Sequence, residues 1–494
     1  MPEQSQIDAL RTAPVPAQRL FIGGDWVEGQ GAPVAVTSPI DGAPLTTLAH
    51  ATEADVARAT RAARRVFDAG AWSRMAPAGR KAVLHRLADL IEREALALTV
   101  LGIRDNGTEI AMALRAEAGS AAGTFRWYAE ALDKVCGEIA PTGGDVLGLV
   151  HREPVGVAGV IVPWNFPLMI GAWKLAPALA AGNSVVLKPA ESASLSLLRL
   201  ADLAAEAGLP EGVLNVVTGP GAETGAALGR SMDVDVLAFT GSGAVGRRLL
   251  EYSARSNLKR VFLELGGKSA NIVFADAPDL EEAAKVSAMG IFRNSGQVCV
   301  AGSRLLVADS IHAEFTERVR RHAEALRVGD PLDLRTDIGA VHSPGQLESN
   351  LRFVRTAEAE GARRVTGGER LHAGSGGYYM APTIMDRVAP DHTLAREEAF
   401  GPVLAVTSFA DEDAAVRLAN GTDYGLAGAV WTGSLSRAHR MVARVKTGVM
   451  HVNTYGGADM TVPLGGVKQS GNGHDKSLHA LDKFTDLKTA WIKL

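Results

Sequence analysis

The sequence predicts an α/β protein: a Rossmann-like doubly wound parallel sheet, a second α/β domain and a small β arm. Three observations lead there. From Val155 onward, short apolar runs (155–162, 185–187, 213–217, 236–239, 261–263 and 271–274) alternate with helical stretches such as Leu195–Glu206. Uninterrupted apolar strands alternating with helices belong to parallel sheets covered on both faces. The same rhythm returns after Cys299, with a strand at 305–307, a helix at 311–326, a strand at 403–409, a helix at 412–419 and a strand at 427–431. Finally, the tail Leu487–Leu494 alternates as an exposed strand does. An unpaired edge is a liability, so this strand is expected to join a partner subunit.

The totals narrow the class. A chain of 494 residues exceeds one core and implies two or three domains. With 47% hydrophobic and 21% charged residues it has the composition of a globular protein. A formal charge of −4 gives no electrostatic footprint for nucleic acid. No uncharged apolar run reaches the roughly 18 residues of a membrane span, and Met1 to Pro16 lacks the apolar core of a signal peptide. Two cysteines make no disulfide framework. The expectation is a cytoplasmic protein with no nucleic-acid or membrane partner and no metal site.

Taken in order, residues 1–18 read as a loose arm and Phe21–Val27 as a strand and turn. Thr52 with Asp55 three residues on resembles a capping box opening a helix. Val83, Leu84, Leu87, Leu90 and Ile91 follow the spacing of an amphipathic helix. A further helical pattern runs from about Glu109 to Val135, and Gly143–Leu149 reads as a hairpin between domains. Helix 195–206 is closed by Gly208 with Pro210 beyond.

Several stretches carry chemistry. Gly296–Arg304 places Cys299 in a small-residue segment before an apolar strand; a lone cysteine is either a small core residue or a nucleophile that needs an activator and an oxyanion site. Asn165 closes a buried strand between Pro163 and Pro167, as a turn cap or as a rigid N–H donor for an oxyanion. Lys188 and Glu191 stand at a strand end, where nucleotides bind in doubly wound sheets. A Glu that accepts from a ribose 2′-hydroxyl disfavours a 2′-phosphate, which leans the choice to NAD over NADP. Gly241, Ser242 and Gly246 open a helix after a strand, where backbone N–H groups can meet a phosphate. Glu264, beside Gly266 and Gly267, is a candidate general base or a solvated carboxylate. Polar and Gly-dense loops at 397–402, 420–426 and 463–471 complete the set.

In this order the stretches resemble the aldehyde dehydrogenase superfamily from about Phe21 to Leu494, through 163–167, 188–191, 239–246, 264–268, 296–299, 398–402 and 463–471. Within it, Arg126–Ala131, Ser436–Met441, Asp459–Pro463 and Gln469–Leu481 are similar to the bacterial gamma-glutamyl-gamma-aminobutyraldehyde dehydrogenases of putrescine catabolism. The resemblance implies that Cys299 attacks an aldehyde, that Asn165 and the Cys299 backbone N–H hold the oxyanion, and that Glu264 activates water against the resulting thioester. It implies that Lys174 and Asp475 pass protons to Glu264. It assigns Trp164, Lys188, Glu191, Gly241, Ser242, Gly246, Gln346, Glu398 and Phe400 to NAD, with NADP less preferred. It implies a cofactor domain over 1–135 and 155–266, a catalytic domain over 267–470, and an oligomerisation arm over 136–154 and 480–494 that joins subunits of a dimer or tetramer.

The same likeness places Glu117, Ser120, Trp173, Tyr455 and Ala458 along the substrate tunnel. Glu117 reads either as an attractor of an ammonium group at the tunnel mouth or as an exposed helical carboxylate. Trp173 offers an aromatic face to a cation, and Gly456, Gly457 and Ala458 leave room for a long substrate. An aminoaldehyde such as 4-aminobutanal or its gamma-glutamyl derivative is therefore expected. Betaine aldehyde, 3-hydroxypropionaldehyde or a general short aliphatic aldehyde is the alternative, and a non-catalytic binding protein on this fold the alternative of another class. Three departures from the family pattern stand out: Asn106–Glu109 after Asp105 where Gly-Lys-Pro is frequent, His474 and Asp475 where Arg and Glu are usual, and Leu464 for Phe.

Overall fold

A computed structural model describes residues 2–457 and 459–494. Two seven-stranded sheets organise the chain. The first runs in the order 260–264, 236–240, 157–161, 184–188, 214–216, 20–22, 25–27. Its first five strands are parallel, and the hairpin 20–22/25–27 joins antiparallel at one edge. All five residues of strands 157–161, 184–188 and 236–240 are buried, as strands covered on both faces are. In chain order the strands grow one way from 157–161 to 214–216, then the other way through 236–240 and 260–264. The reversal lies between 157–161 and 236–240, the place where an open α/β sheet forms a crevice at its strand C-termini.

The second sheet runs 363–366, 383–386, 403–409, 304–308, 270–273, 427–431, 449–452 and is parallel except for 363–366. Only five residues separate Glu264, at the C-terminal end of a first-sheet strand, from Ala270, at the N-terminal end of a second-sheet strand. The nucleophile candidate Cys299 also precedes its strand, 304–308, so it lies at the N-terminal edge of the second sheet. A third sheet joins 138–140, 146–154 and 485–493, with the tail strand paired antiparallel from Thr485 opposite Pro154 to Lys493 opposite Val146.

The capping box at Thr52 is present, with the Thr52 N–H donating to Asp55 at 3.0 Å and helix 53–69 following. Helix 195–206 has the expected bounds. Two expectations are corrected. The expected loose arm is not loose over its described residues: Gln4–Arg11 is a helix whose Ile7 is fully buried. Its Gln4 bonds Leu332 and Leu334 at 2.9 and 3.0 Å, and Arg11 pairs with Asp330. The stretch 109–135 is not one helix but two, 110–116 and 118–131, broken at Glu117.

Candidate active site

Three strand ends of the first sheet converge on the crevice. Strand 157–161 leads into Pro163, Trp164 and Asn165, and Pro167 then opens helix 167–181. Strand 236–240 leads into Gly241 and Ser242, and strand 260–264 ends at Glu264. A cavity of about 290 Å³ is lined by Pro163, Trp164, Asn165, Thr240, Gly241, Ser242, Cys299, Gln346, Glu398 and Phe400, among others. Residues far apart in sequence thus share one chamber.

The Cys299 loop is held tightly. Asn294 and Ser295 adopt left-handed backbone angles, φ 49° and 51°, which non-glycine residues hold only when their surroundings fix them. Glu109, one of the family departures, supplies part of that restraint: its carboxyl accepts the Asn294 N–H at 3.0 Å and the Gly339 N–H at 3.3 Å. At Gly296, φ is 71° and a Cβ would lie 2.1 Å from the Gly401 carbonyl oxygen, so only glycine lets the two loops meet. Asn165 is buried, and its Nδ2 donates to the Gln297 carbonyl at 2.9 Å. That amide nitrogen carries two hydrogens, which leaves one for the cavity. Burial pushes the Cys299 thiol up to about 12, and the Glu398 and Glu264 carboxyls add to the shift. With burial and two carboxyls set against the thiolate, Cys299 favours its thiol form at neutral pH.

Glu264 is buried, and its Oε1 has no hydrogen-bond partner. The Gly-dense C-terminal loop closes over it: Leu265 N–H donates to Ser470 O at 2.9 Å, Leu263 N–H to Asn472 Oδ1 at 2.8 Å, and Glu264 forms a β-bridge with Gly471. Burial, then repulsion from Asp475, pushes its carboxyl well up, while Lys174 and Lys483 oppose the shift. Lys174 Nζ lies 2.8 Å from Asp475 Oδ2 with both side chains buried, and Lys483 pairs with the other Asp475 oxygen. Burial alone would raise the Asp475 carboxyl, but the two lysines outweigh it and hold it below its ordinary value.

The remaining residues divide by element. Lys188 Nζ donates to Glu191 Oε2 at 3.0 Å beyond the strand end; burial raises the Glu191 carboxyl, and the Lys188 charge together with hydrogen bonds from Lys188 and backbone N–H groups more than offsets it. Gly241 is tight, since a Cβ there would meet the Phe239 ring at 2.4 Å. Ser242 caps helix 243–254 by accepting the Val245 N–H at 3.4 Å. Gly246 packs that helix on Leu265, 3.1 Å from where its Cβ would stand. Trp164 stacks on His342 at 4.2 Å and meets Phe400 edge-on at 5.4 Å. Gln346 Nε2 reaches Ala399 O and Phe400 O at 3.0 and 3.2 Å, pinning Phe400 at φ 53°. Glu398 Oε1 accepts the Gly267 N–H at 2.9 Å, and burial pushes its carboxyl up to about 7.

These residues fit a dinucleotide. The cavity lies beyond strand C-termini, one wall is the N-terminus of helix 243–254, and Thr240 Oγ1 is buried on the lining without a hydrogen-bond partner.

The tunnel residues correct the sequence reading. Glu117 is not an exposed helical carboxylate: it is buried and accepts the Met169 N–H at 2.8 Å in the first turn of helix 167–181. Burial pushes its carboxyl up to about 8, which removes at neutral pH the charge that would attract an ammonium group. The Trp173 ring already has a cation, Lys476 Nζ at 5.8 Å from its centroid. Tyr455 is buried and donates its hydroxyl to Val300 O at 2.7 Å, bracing the Cys299 segment from below. Ala458 lies outside the described residues. Sequence reasoning missed Glu109, His342 and Lys483, which only the fold brings to the site. Their one sequence signal is the Thr108–Glu109 departure.

Comparison with known proteins follows the same lines. The family model for the aldehyde dehydrogenase family matches residues 26–490. The NADP/NAD-dependent aldehyde dehydrogenase PuuC of Escherichia coli (strain K12) is 52% identical over 477 residues, covering 96% of each chain. A crystal structure of gamma-glutamyl-gamma-aminobutyraldehyde dehydrogenase from Burkholderia cenocepacia J2315 is 49% identical with a TM-score of 0.97 over 99% of both chains. An indole-3-acetaldehyde dehydrogenase crystallised with NAD+ is 47% identical with a TM-score of 0.99 over the whole of both.

Proposed function

The chain belongs to the aldehyde dehydrogenase family and is an NAD(P)-dependent aldehyde dehydrogenase; from that premise we propose its residue roles and its substrate class. The observation that carries the roles is the single cavity shared by Cys299, Asn165, Gly241 and Glu398.

Cys299 gives up its thiol proton to solvent water, and the sulfur bonds to the aldehyde carbon. The carbonyl oxygen becomes an alkoxide held by the Asn165 side-chain N–H and the Cys299 backbone N–H. Bound NAD supplies the acceptor for the hydride, the two electrons that the aldehyde loses. The product on Cys299 is a thioester. Glu264 takes a proton from water, the water oxygen bonds to the thioester carbon, and the C–S bond breaks to release the carboxylic acid and return the sulfur. Lys174 and Asp475 relay the proton away from Glu264. Lys188 and Glu191 hold the adenine ribose. Glu191, kept as a carboxylate, repels a 2′-phosphate, which supports NAD over NADP. The first turn of helix 243–254 holds the pyrophosphate, and Glu398 with Phe400 the nicotinamide ribose. Trp164 and Gln346 shape that end.

The substrate is an aminoaldehyde, free or gamma-glutamylated. The 49% identity to the Burkholderia enzyme supports this. Selectivity on this reading comes from room and shape rather than from a Glu117 charge. Initial NADH production across equal concentrations of 4-aminobutanal, gamma-glutamyl-aminobutanal, betaine aldehyde, 3-hydroxypropanal and propanal tests it. An aminoaldehyde kcat/KM at least tenfold above that of propanal, about 1.4 kcal/mol of discrimination, is expected; a flat ranking overturns it.

The three sheets support the division into a cofactor unit (1–135, 155–266), a catalytic unit (267–470) and an arm (136–154, 480–494). Strand 485–493 pairs on one side only and exposes Leu487, Trp491 and Ile492, a surface suited to a second copy. The protein is a dimer or tetramer on this reading; a monomer by light scattering at micromolar concentration overturns it. None of the described helices is long and apolar enough to cross a membrane. A cytoplasmic location accords with the sequence's two unpaired cysteines.

A further inference from the structure

We propose that Lys483 is a positioning residue for hydrolysis of the thioester: its ammonium supplies the second positive charge that lets buried Glu264 stand as a carboxylate. The inference rests on the reading of Glu264 as the base.

The charge count carries it. Lys174 on helix 167–181 and Lys483 at the end of the 3₁₀ turn 478–483 both pair with the one carboxylate of Asp475. Their side chains are 1% and 4% exposed, and that of Asp475 is 2% exposed. A single lysine would neutralise Asp475. Burial lowers the pKa of the Lys483 ammonium while Asp475 and Glu264 hold its proton; with that proton in place, two lysines leave a net positive charge in a place water does not reach, and a buried charge needs a partner. Glu264 can supply it once its proton has left: Oε1 is buried without a hydrogen-bond partner, and although burial and Asp475 raise its carboxyl, Lys174 and Lys483 both oppose that shift. With Glu264 ionised, two ammoniums face two carboxylates and the cluster is neutral. With Lys483 gone, ionised Glu264 would leave a net negative charge in the same dry pocket, and the proton would stay on Glu264.

The groups facing Glu264 are Asp475 on the loop after Gly471, Lys174, Lys483 and the Cys299 thiol. Tyr128 lies against Asp475 and donates its hydroxyl to Ser477 O at 2.9 Å, which fixes the turn that carries Lys483. Of these, only Lys174 and Lys483 favour the ionised form. Lys483 does not touch the aldehyde or the cofactor cavity; it acts through Glu264.

Two substitutions separate charge from shape. Lys483→Gln keeps a donor for Asp475 and removes the charge; Lys483→Arg keeps the charge and alters the shape. The NADH burst reports the first half of the reaction and the steady-state rate reports hydrolysis, each followed from pH 5.5 to 9.5 on the full-length enzyme. For Lys483→Gln the burst amplitude stays as in the parent. Hydrolysis at pH 7 falls about tenfold or more, and its acid-side midpoint moves up by about one pH unit or more. Lys483→Arg keeps the parental midpoint. A Lys483→Gln midpoint equal to the parent's overturns the proposal, whether or not the rate falls, as does an Arg midpoint displaced like that of Gln. Glu264→Gln, run in parallel, tests the underlying reading: hydrolysis at the parental rate in that variant shows that Glu264 is not the base.

Discussion

Replacing Asn165 by Ala strikes two functions of one amide. Its Nδ2 holds the Gln297 carbonyl at 2.9 Å, two residues before the nucleophile, and has one hydrogen left for the chamber it lines with Cys299. Loss of a preorganised oxyanion donor costs about 3–4 kcal/mol of transition-state stabilisation, a fall of about 100- to 1000-fold in kcat. The structural share is smaller. Gln297 O keeps a second donor, Asn294 Nδ2 at 3.4 Å, so the folded state loses about 1 kcal/mol. The two shares separate in the assay. Stopped-flow NADH formation with a saturating aminoaldehyde is expected to lose its burst, because formation of the thioester becomes slow. NAD affinity by fluorescence titration stays within a factor of about two, and the melting temperature drops by only a few degrees. Asn165→Asp, which keeps the shape but brings a charge toward the oxyanion, is expected to be at least as slow. An Asn165→Ala enzyme within fivefold of the parental kcat refutes the donor role.

Two further outcomes follow from buried titrating groups. The folded Glu117 carboxyl titrates at about 8 against 4.5 for the free side chain, so the folded state holds a proton that the unfolded chain loses as pH rises between those values. Stability from this group is fully present below about 4.5, declines through neutrality and is at its minimum above about 8. At pH 7 the penalty is roughly 3 kcal/mol. Urea denaturation of Glu117→Gln is expected to show a stability advantage over the parent that grows from pH 5.5 to 7.5; an advantage independent of pH refutes it. The Cys299 thiol, raised to about 12 by burial and then by Glu398 and Glu264, is expected to react slowly with iodoacetamide at pH 7 and about tenfold faster per pH unit up to pH 9. Mass-spectrometric labelling kinetics check this, and a rate already on a plateau at pH 7 excludes it.

What the sequence disclosed and what it hid divide along one physical line. Strands such as 403–409 and 427–431 and the helix 195–206 were legible because their signals are local: runs of apolar residues and a Gly stop. The end of strand 260–264 was legible for the same reason, and its glycines marked Glu264. Hidden were features whose stability comes from distant chain. Helix 4–11 has one buried side chain and a handful of bonds to residues 330–334, none visible at its own position. Glu117 looks like any polar residue on a helix until Met169 presents its N–H. Lys483 looks like a surface lysine of a polar tail until Asp475 accepts it. The hydrogen bond from the Tyr455 hydroxyl to Val300 O, 155 residues away, was likewise invisible in the sequence.

The closure of the 463–471 loop over Glu264 has a consequence in time. Lys174 and Asp475 are 301 residues apart, and Glu264 waits for Gly471 to cover it. Such distant contacts are the last to be won in folding, because a long loop of chain is ordered before they form. The loop that carries Gly471 and Asp475 is therefore the last part of the site to be set in place, so release of the acid, which needs Glu264 covered and its proton moved, matures after capture of the aldehyde by Cys299.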